Sequence, residues 1–168
     1  LYIPGMSEKG RLTLDDLGIV PDESKPHLLM PITPPEVWGC GVTYKRSANM
    51  RDEDSKKDIY SRVYFSERPE IFFKATSSRC VGPNEPICIR QDSDLTAAEP
   101  ELAFVLGEKG EVAGYTICND VSAWDIEREN PLYLPQSKTF YGCCAIGPTF
   151  VTSSEISDVY NLEIVCDI

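Results

Sequence analysis

Residues 99–120 read EPELAFVLGEKGEVAGYTICND, two β-rich runs on either side of a short glycine-bounded segment. This pattern predicts an antiparallel β-hairpin with its turn at residues 107–110. Side chains alternate between the two faces of a strand, so Glu99 and Glu101 point the same way. Asp120 ends the second strand, close to where the first begins. The stretch therefore predicts a β-rich fold with three acidic residues in one region.

The register of this hairpin decides whether the three acids share a face. A loop of two or four residues at the turn makes paired residue numbers sum to 217, which sets Glu101 opposite Thr116. Glu99, Glu101 and Asp120 then lie on one face of the sheet. A loop with an odd number of residues would turn Asp120 to the other face.

Three clustered carboxylates repel one another unless a cation neutralises them. A set that offers only oxygen ligands suits a hard divalent cation, which is Mg²⁺ or alternatively Mn²⁺ or Ca²⁺. The spacing leaves a second interpretation open, in which Glu99, Glu101 and Asp120 are ordinary acids on a solvated strand face.

Further β-rich runs surround the hairpin, separated by glycine, proline and Asn-Asp, and this punctuation predicts antiparallel strands. The runs predicted as strands are EVWGCGVTY (36–44), EIFFKA (70–75), CVGPNEPICIR (80–90), GCCAIGPTFVT (142–152) and NLEIVCDI (161–168). The two glycines of the first run indicate a close approach of another chain segment. Residues 45–66 have a charged, helix-compatible composition that predicts a solvated helix or a lid, and residues 120–130 predict a short helix. The fold class is mainly β with minor α, that is, α+β.

The domain organisation follows from proline and from the ends of the chain. Pro31, Pro34 and Pro35 predict a boundary near residue 33, because proline interrupts regular pairing. Residues 1–33 are then the end of a small N-terminal domain or a linker, and residues 34–168 form the larger domain. The chain ends inside a strand-like run, so we expect a fragment.

Composition excludes several function classes. The 16 basic and 27 acidic residues give a net charge of −11, which disfavours binding to nucleic acid or to an anionic membrane. No apolar run approaches the roughly 18 residues of a membrane-spanning helix. Seven irregularly spaced cysteines without a CxxC pair predict reduced thiols and a cytoplasmic location. His27 is the only histidine, so a Ser-His-Asp triad or a Cys-His dyad is disfavoured.

Several motifs together resemble the fumarylacetoacetate hydrolase family. They are RPEIFFKA (68–75), the hairpin with the NDVSAWD that ends it, and LPQSKTFYGCCAIGP (134–148). The runs RPEIFFKATSSRCVG, ENPLYLPQSK and GCCAIGP are similar to the 2-keto-3-deoxyarabinonate dehydratase branch. The resemblance covers about residues 31–160. It implies a β-sandwich roll, a homodimer or tetramer, and a catalytic domain that continues beyond residue 168.

The resemblance also implies a role for individual residues. Glu99, Glu101 and Asp120 match the three Mg²⁺ ligands of the family. The other matches are Lys138 as a catalytic lysine, Glu70 as an acid/base carboxylate and Lys74 as a lysine near the substrate. Without these roles, Lys138 is a loop cation, Glu70 a charge at a strand entry, and Lys74 a buried-strand lysine whose ammonium reaches solvent.

The implied function is Mg²⁺-dependent dehydration of a 2-keto-3-deoxy sugar acid. A 2-keto-3-deoxypentonate would become 2,5-dioxopentanoate through a metal-stabilised enolate. Lys138 is the expected base, with its pKa lowered by burial and a nearby divalent cation, and Glu70 is the expected acid, although the two roles are interchangeable.

Two departures from the family pattern bear on the reaction. Arg46 or Ser47 stands where hydrolase and decarboxylase members often carry a histidine, which favours dehydration. Trp124 stands where an arginine is common, which removes a cation. The alternatives are a C–C bond hydrolase of the acylpyruvate or fumarylacetoacetate type, an oxaloacetate decarboxylase, and a non-enzymatic acidic β-rich interaction module.

Overall fold

The computed structural model describes residues 18–25, 27–55 and 58–168. The strands are β1 (Val37–Gly41), β2 (Glu70–Ala75), β3 (Cys80–Val81), β4 (Thr96–Ala97), β5 (Pro100–Leu106), β6 (Val112–Asp120), β7 (Ser122–Ala123) and β8 (Cys144–Thr152). The helices are α1 (Lys45–Ser55), α2 (Ile59–Tyr64), α3 (Trp124–Glu129) and α4 (Leu134–Lys138). This content confirms the α+β class, and α1 and α2 confirm the helical prediction for residues 45–66.

Three sheets organise the strands. The largest has the order β3-β8-β6-β5, and the pairs β1-β2 and β4-β7 form two-stranded sheets. All pairs are antiparallel except β3 with β8, which is parallel, so the expectation of antiparallel strands fails there. None of the helices within the described ranges is long and apolar enough to cross a bilayer.

The β5-β6 hairpin forms as predicted, but its register differs by two residues. Glu101 pairs with Cys118 rather than with Thr116, so paired numbers sum to 219. The loop has five residues and is closed by a hydrogen bond from the Gly107 amide to the Glu111 carbonyl (2.8 Å). A one-residue bulge at Ala113 follows. A loop with an odd number of residues reverses which face of the sheet the β6 side chains occupy, and the bulge reverses it again. The three acids therefore share the predicted face.

Two predicted strands are wrong wholly or in part. The run at residues 80–90 is a strand only at β3, because two prolines interrupt it and Asn84 adopts a φ of 62°. The run at residues 161–168 forms no strand and its side chains are exposed. A strand needs a neighbour for its backbone groups, and this run pairs with no other described segment.

The core lies between β2 and the central strands of the large sheet. Its fully packed members are Ala75, Cys118, Cys143, Cys144 and Ile146. All seven cysteines are free thiols, as predicted, although Cys40 and Cys166 are exposed. The face of β5 and β6 away from this core exposes Phe104 and Ile117.

Candidate metal and catalytic site

The backbone of the hairpin brings Glu99 and Asp120 together. The Asp120 amide donates to the Glu99 carbonyl at 2.9 Å, which sets these residues directly opposite each other. The Asn119 side chain accepts from the Glu99 amide at 3.1 Å and holds the residue that precedes β5. Glu101, two residues further on, lies on the same face. The sequence therefore predicted the shared face correctly.

Lys138, the last residue of α4, places its ammonium group between these acids. Its side chain is buried, and Nζ donates to Glu99 Oε2 (2.8 Å), Asp120 Oδ2 (2.7 Å) and Ser122 Oγ (2.6 Å). The ring of Phe72 lies 5.3 Å from Nζ, a cation–π distance. Every N–H of the ammonium group thus has an oxygen partner.

The charges around Lys138 act on its pKa in opposite directions. Burial lowers the pKa, but the carboxylates of Asp120 and Glu99 outweigh burial and hold it above the usual lysine range. The expectation of a lowered pKa includes burial and a divalent cation but not these two direct ion pairs. With this arrangement of charges, Lys138 keeps its proton.

Glu101 differs from the other two acids because its hydrogen-bond donor is neutral. The Tyr44 hydroxyl, just before α1, donates to Glu101 Oε2 at 3.0 Å. Burial raises the pKa of Glu101 to about 7, and the charges of Asp120 and Glu99 add to the increase. Burial and the Glu101 charge likewise raise the pKa of Tyr44 to about 12. The three acids therefore interact electrostatically, and a further cation would relieve their repulsion.

Lys74 lies beneath this cluster, with 2% of its surface exposed. Its Nζ donates to the carbonyls of Lys138 (2.6 Å) and Val121 (2.8 Å) and lies 2.6 Å from Asp120 Oδ1. The family resemblance suggests a substrate-binding role for Lys74. The structure instead directs its ammonium group at protein oxygens.

Glu70 differs from these buried residues in its exposure to solvent. It is exposed at the start of β2, on the same strand face as Phe72 and Lys74. Opposite it in β1 is Gly41, where a Cβ atom would lie 2.9 Å from Glu70 Cγ. Gly39 is similarly crowded by the Phe72 ring, which confirms the predicted close approach at both glycines.

Cations lie near Trp124 although no pattern in the sequence predicts them. The Trp124 indole donates to Glu99 Oε1, and Arg51 of α1 lies over its ring. The Arg51 guanidinium pairs with Glu127 and, at 3.5 Å, with Glu99. In the run RDEDSKK nothing marks Arg51 among its charged neighbours, so only the contact reveals it. The side chains of Arg46 and Ser47 lie outside the described residues.

The donor chemistry of the site fits a magnesium ion. All three predicted ligands offer oxygen, and Asp120 Oδ1 is a buried atom that accepts no hydrogen bond, although Lys74 is its ion-pair partner. Within residues 18–25, 27–55 and 58–168, no group of three His, Cys, Asp or Glu side chains is arranged to hold a metal ion. Glu99 and Asp120 each direct an oxygen at Lys138 instead. The three-ligand site stays a prediction.

A family model for the fumarylacetoacetate (FAA) hydrolase C-terminal domain matches residues 36–168. The chain belongs to the fumarylacetoacetate hydrolase family. All six residues assigned a role from the sequence lie inside the matched range. The resemblance noted in the motifs is therefore confirmed.

Curated members of the fumarylacetoacetate hydrolase family that resemble this chain include two dehydratases. The 2-dehydro-3-deoxy-D-arabinonate dehydratase of Saccharolobus solfataricus is 54% identical over 143 residues, which cover 82% of this chain and 48% of that protein. The probable 2-keto-3-deoxyxylonate dehydratase of Haloferax volcanii is 49% identical over 138 residues, covering 82% and 47%. The chain thus spans about half the length of the curated relatives it matches.

A solved structure of the family supports the same fold. It is 2-keto-3-deoxy-D-arabinonate dehydratase complexed with magnesium and 2,5-dioxopentanoate, with a TM-score of 0.68 and 54% sequence identity. The match covers 77% of this chain and 44% of that one. This agreement confirms the predicted fold class.

Proposed function

We propose that the protein containing this chain is a hydro-lyase that removes water from a 2-keto-3-deoxypentonate and forms 2,5-dioxopentanoate, with Mg²⁺ as cofactor. The observation that carries the proposal is the convergence of Lys138 with Glu99 and Asp120 in a chain 54% identical to a dehydratase. The solved dehydratase with magnesium and 2,5-dioxopentanoate supports both the cofactor and the product.

Glu99, Glu101 and Asp120 are the residues that would hold the ion. The chemistry that magnesium supplies when bound is Lewis acidity toward the 2-oxo acid group. A bound cation would neutralise Glu99 and Asp120 and so would weaken the attraction that raises the Lys138 pKa. Burial, which lowers that pKa, would then favour the neutral amine of Lys138, the form that accepts a proton.

Two side chains divide the proton transfers. The Lys138 amine takes a proton from C3 of the substrate, and Glu70 gives a proton to the C4 hydroxyl, which leaves as water. This elimination leaves a 3,4-unsaturated 2-oxo acid that carries a hydroxyl group on C5. One proton then leaves C5 and one leaves its hydroxyl, while C3 and C4 each gain a proton, which gives the dioxo acid without further loss of atoms. The exposed position of Glu70 at the start of β2 supports this role, because the group must meet the substrate.

A substrate panel tests the proposal on the full-length protein. A 2-keto-3-deoxypentonate, an acylpyruvate and oxaloacetate are each incubated with Mg²⁺ or with a chelator, and products are followed by NMR. We expect Mg²⁺-dependent formation of 2,5-dioxopentanoate from the sugar acid alone. Turnover of only the acylpyruvate or oxaloacetate would assign a hydrolase or a decarboxylase instead. Inertness toward all three would favour a non-enzymatic module.

We also propose, from the family resemblance, a cytoplasmic homodimer or tetramer. Light scattering on the full-length protein measures the mass of the assembly directly. A mass of two or four chains is the expected result, and a monomer at micromolar concentration would contradict it.

A further inference from the structure

We propose that Lys74 is a positioning residue that orients Asp120 and the end of α4, and that it does not bind substrate. Its contribution to turnover rests on the proposed function, whereas its contacts do not. The proposal changes the role that the motif RPEIFFKA suggested for this lysine.

Two hydrogen bonds and one ion pair with protein oxygens surround the Lys74 ammonium group. An ammonium group has three N–H donors. Three protein oxygens lie within 2.8 Å of Nζ, in the carbonyl of Lys138, the carbonyl of Val121 and the carboxylate of Asp120. The Phe140 ring lies 5.8 Å from Nζ, and only 2% of the residue is exposed. A substrate carboxylate would have to displace a buried protein oxygen to reach it.

Lys74 also connects three segments of the chain. It extends from β2 and contacts both the end of β6 and the last residue of α4. Asp120 then has one lysine on each oxygen: Lys74 at Oδ1 (2.6 Å) and Lys138 at Oδ2 (2.7 Å). These two contacts define the plane of the carboxylate.

The three residues form a closed ring of contacts. Lys74 holds the main chain of Lys138, Lys138 holds Asp120, and Asp120 pairs with Lys74. Removal of the Lys74 charge would leave the Lys138 carbonyl without this donor inside the protein and would free Asp120 to rotate. Lys74 therefore acts on the site through Asp120 and Lys138.

The first experiment uses the unmodified full-length protein. Lysines are acetylated with acetic anhydride under native conditions, with and without Mg²⁺ and a 2-keto acid, and are quantified by mass spectrometry. We expect Lys74 to stay unmodified in every condition, while the exposed Lys109 on the hairpin loop reacts throughout. Modification of Lys74 in the free protein, with protection by the 2-keto acid, would overturn the proposal.

The second experiment compares Lys74→Met with Lys109→Met. Mg²⁺ affinity is measured by calorimetry without substrate, and kcat and KM are measured at saturating Mg²⁺. For Lys74→Met we expect affinity to fall about tenfold, as for the loss of other groups that orient metal ligands, with a fall in kcat and little change in KM. Lys109→Met should match the unmodified protein.

Two results would contradict the positioning role. An increase in KM with unchanged kcat and Mg²⁺ affinity would identify Lys74 as a substrate contact, and a variant with all three values unchanged would remove it from the site. Should Lys74→Met fail to fold, the acetylation pattern decides alone. If the protein turns over none of the tested substrates, the Mg²⁺ titration and the acetylation pattern still test Lys74 separately from the proposed function.

Discussion

Lys138 is the residue on which most contacts of the site converge. Two carboxylates, a hydroxyl and an aromatic ring face its ammonium group. We predict that Lys138→Ala in the full-length protein lowers turnover roughly 100- to 10,000-fold, the usual contribution of a positioned acid or base. Mg²⁺ affinity should not fall, because the variant removes a cation that competes for the same carboxylates.

Lysine replacement on the hairpin loop provides the control. Lys109→Ala removes an exposed charge and should leave turnover unchanged. Steady-state kinetics and calorimetric Mg²⁺ titration of both variants check the prediction. Normal turnover by Lys138→Ala would exclude Lys138 from the reaction.

Motifs predicted that single acids and a lysine lie close together, whereas residues placed only by tertiary contacts could not be predicted from the sequence. Glu99, Glu101, Asp120 and Lys138 stand in motifs with fixed spacing. Tyr44 and Arg51 carry no such signal, because their roles depend on how α1 lies against the hairpin. The pKa of Lys138 could not be predicted either, since its direction depends on distances to two acids.

Among the secondary-structure elements, β1 determines the space available to Glu70. Gly41 lies opposite Glu70, and a Cβ there would come within 2.9 Å of Glu70 Cγ. We predict that Gly41→Ala displaces Glu70 and reduces turnover by up to about 100-fold, as small misplacements of catalytic groups do. Mg²⁺ affinity should be unchanged.

Gly18→Ala is the matched control, because a Cβ at Gly18 meets no atom within 4 Å. Kinetics of the two glycine variants provide the measurement. Equal turnover in Gly41→Ala and the unmodified protein would show that the close approach does not position Glu70.

A side chain of α1 caps the N-terminus of α2. The Asp52 carboxylate accepts from the amides of Tyr60 and Ser61, each at 2.9 Å, whereas Asp58 at the start of α2 makes no side-chain cap. We predict that Asp52→Ala speeds hydrogen exchange of the Tyr60 and Ser61 amides. Asp58→Ala should leave their exchange unchanged, and identical rates in the two variants would contradict the cap.

The same cap predicts a dependence on pH. Burial would raise the pKa of Asp52, but hydrogen bonds from Ser61 and Tyr60 outweigh it and hold the pKa below the usual aspartate range. Because the folded pKa is lowered, the cap contributes fully above the ordinary aspartate pKa and is lost as pH falls through the folded value. Hydrogen exchange of α2 in acid should therefore converge with that of Asp52→Ala.

The elements show which patterns predict structure. Alternation and composition located β5, β6 and β8, because each of these strands has neighbours within the chain. They failed at residues 82–90, where backbone geometry breaks the strand, and at residues 161–168, where no described partner adjoins. The predicted face of the three acids was right although the predicted register was wrong. The odd loop and the bulge at Ala113 each reverse the side-chain face, so their effects cancel.

For the whole molecule, net charge and length set the conditions of any test. A charge of −11 attracts divalent cations nonspecifically, so Mg²⁺ experiments need controls of matched ionic strength. The chain also spans about half the length of the curated relatives it matches, so activity has to be measured on the full-length protein. The domain boundary near residue 33 stays a prediction.

The most direct test is the melting temperature of the full-length protein during a Mg²⁺ titration at constant ionic strength. A specific site at about 100 times its Kd adds about 2.7 kcal/mol to the free energy of unfolding. We predict a concentration-dependent rise in melting temperature for the unmodified protein and for Glu108→Gln on the exposed loop, with a rise that is largely lost in Glu101→Gln. An equal rise in Glu101→Gln, or none in the unmodified protein, would contradict the magnesium site.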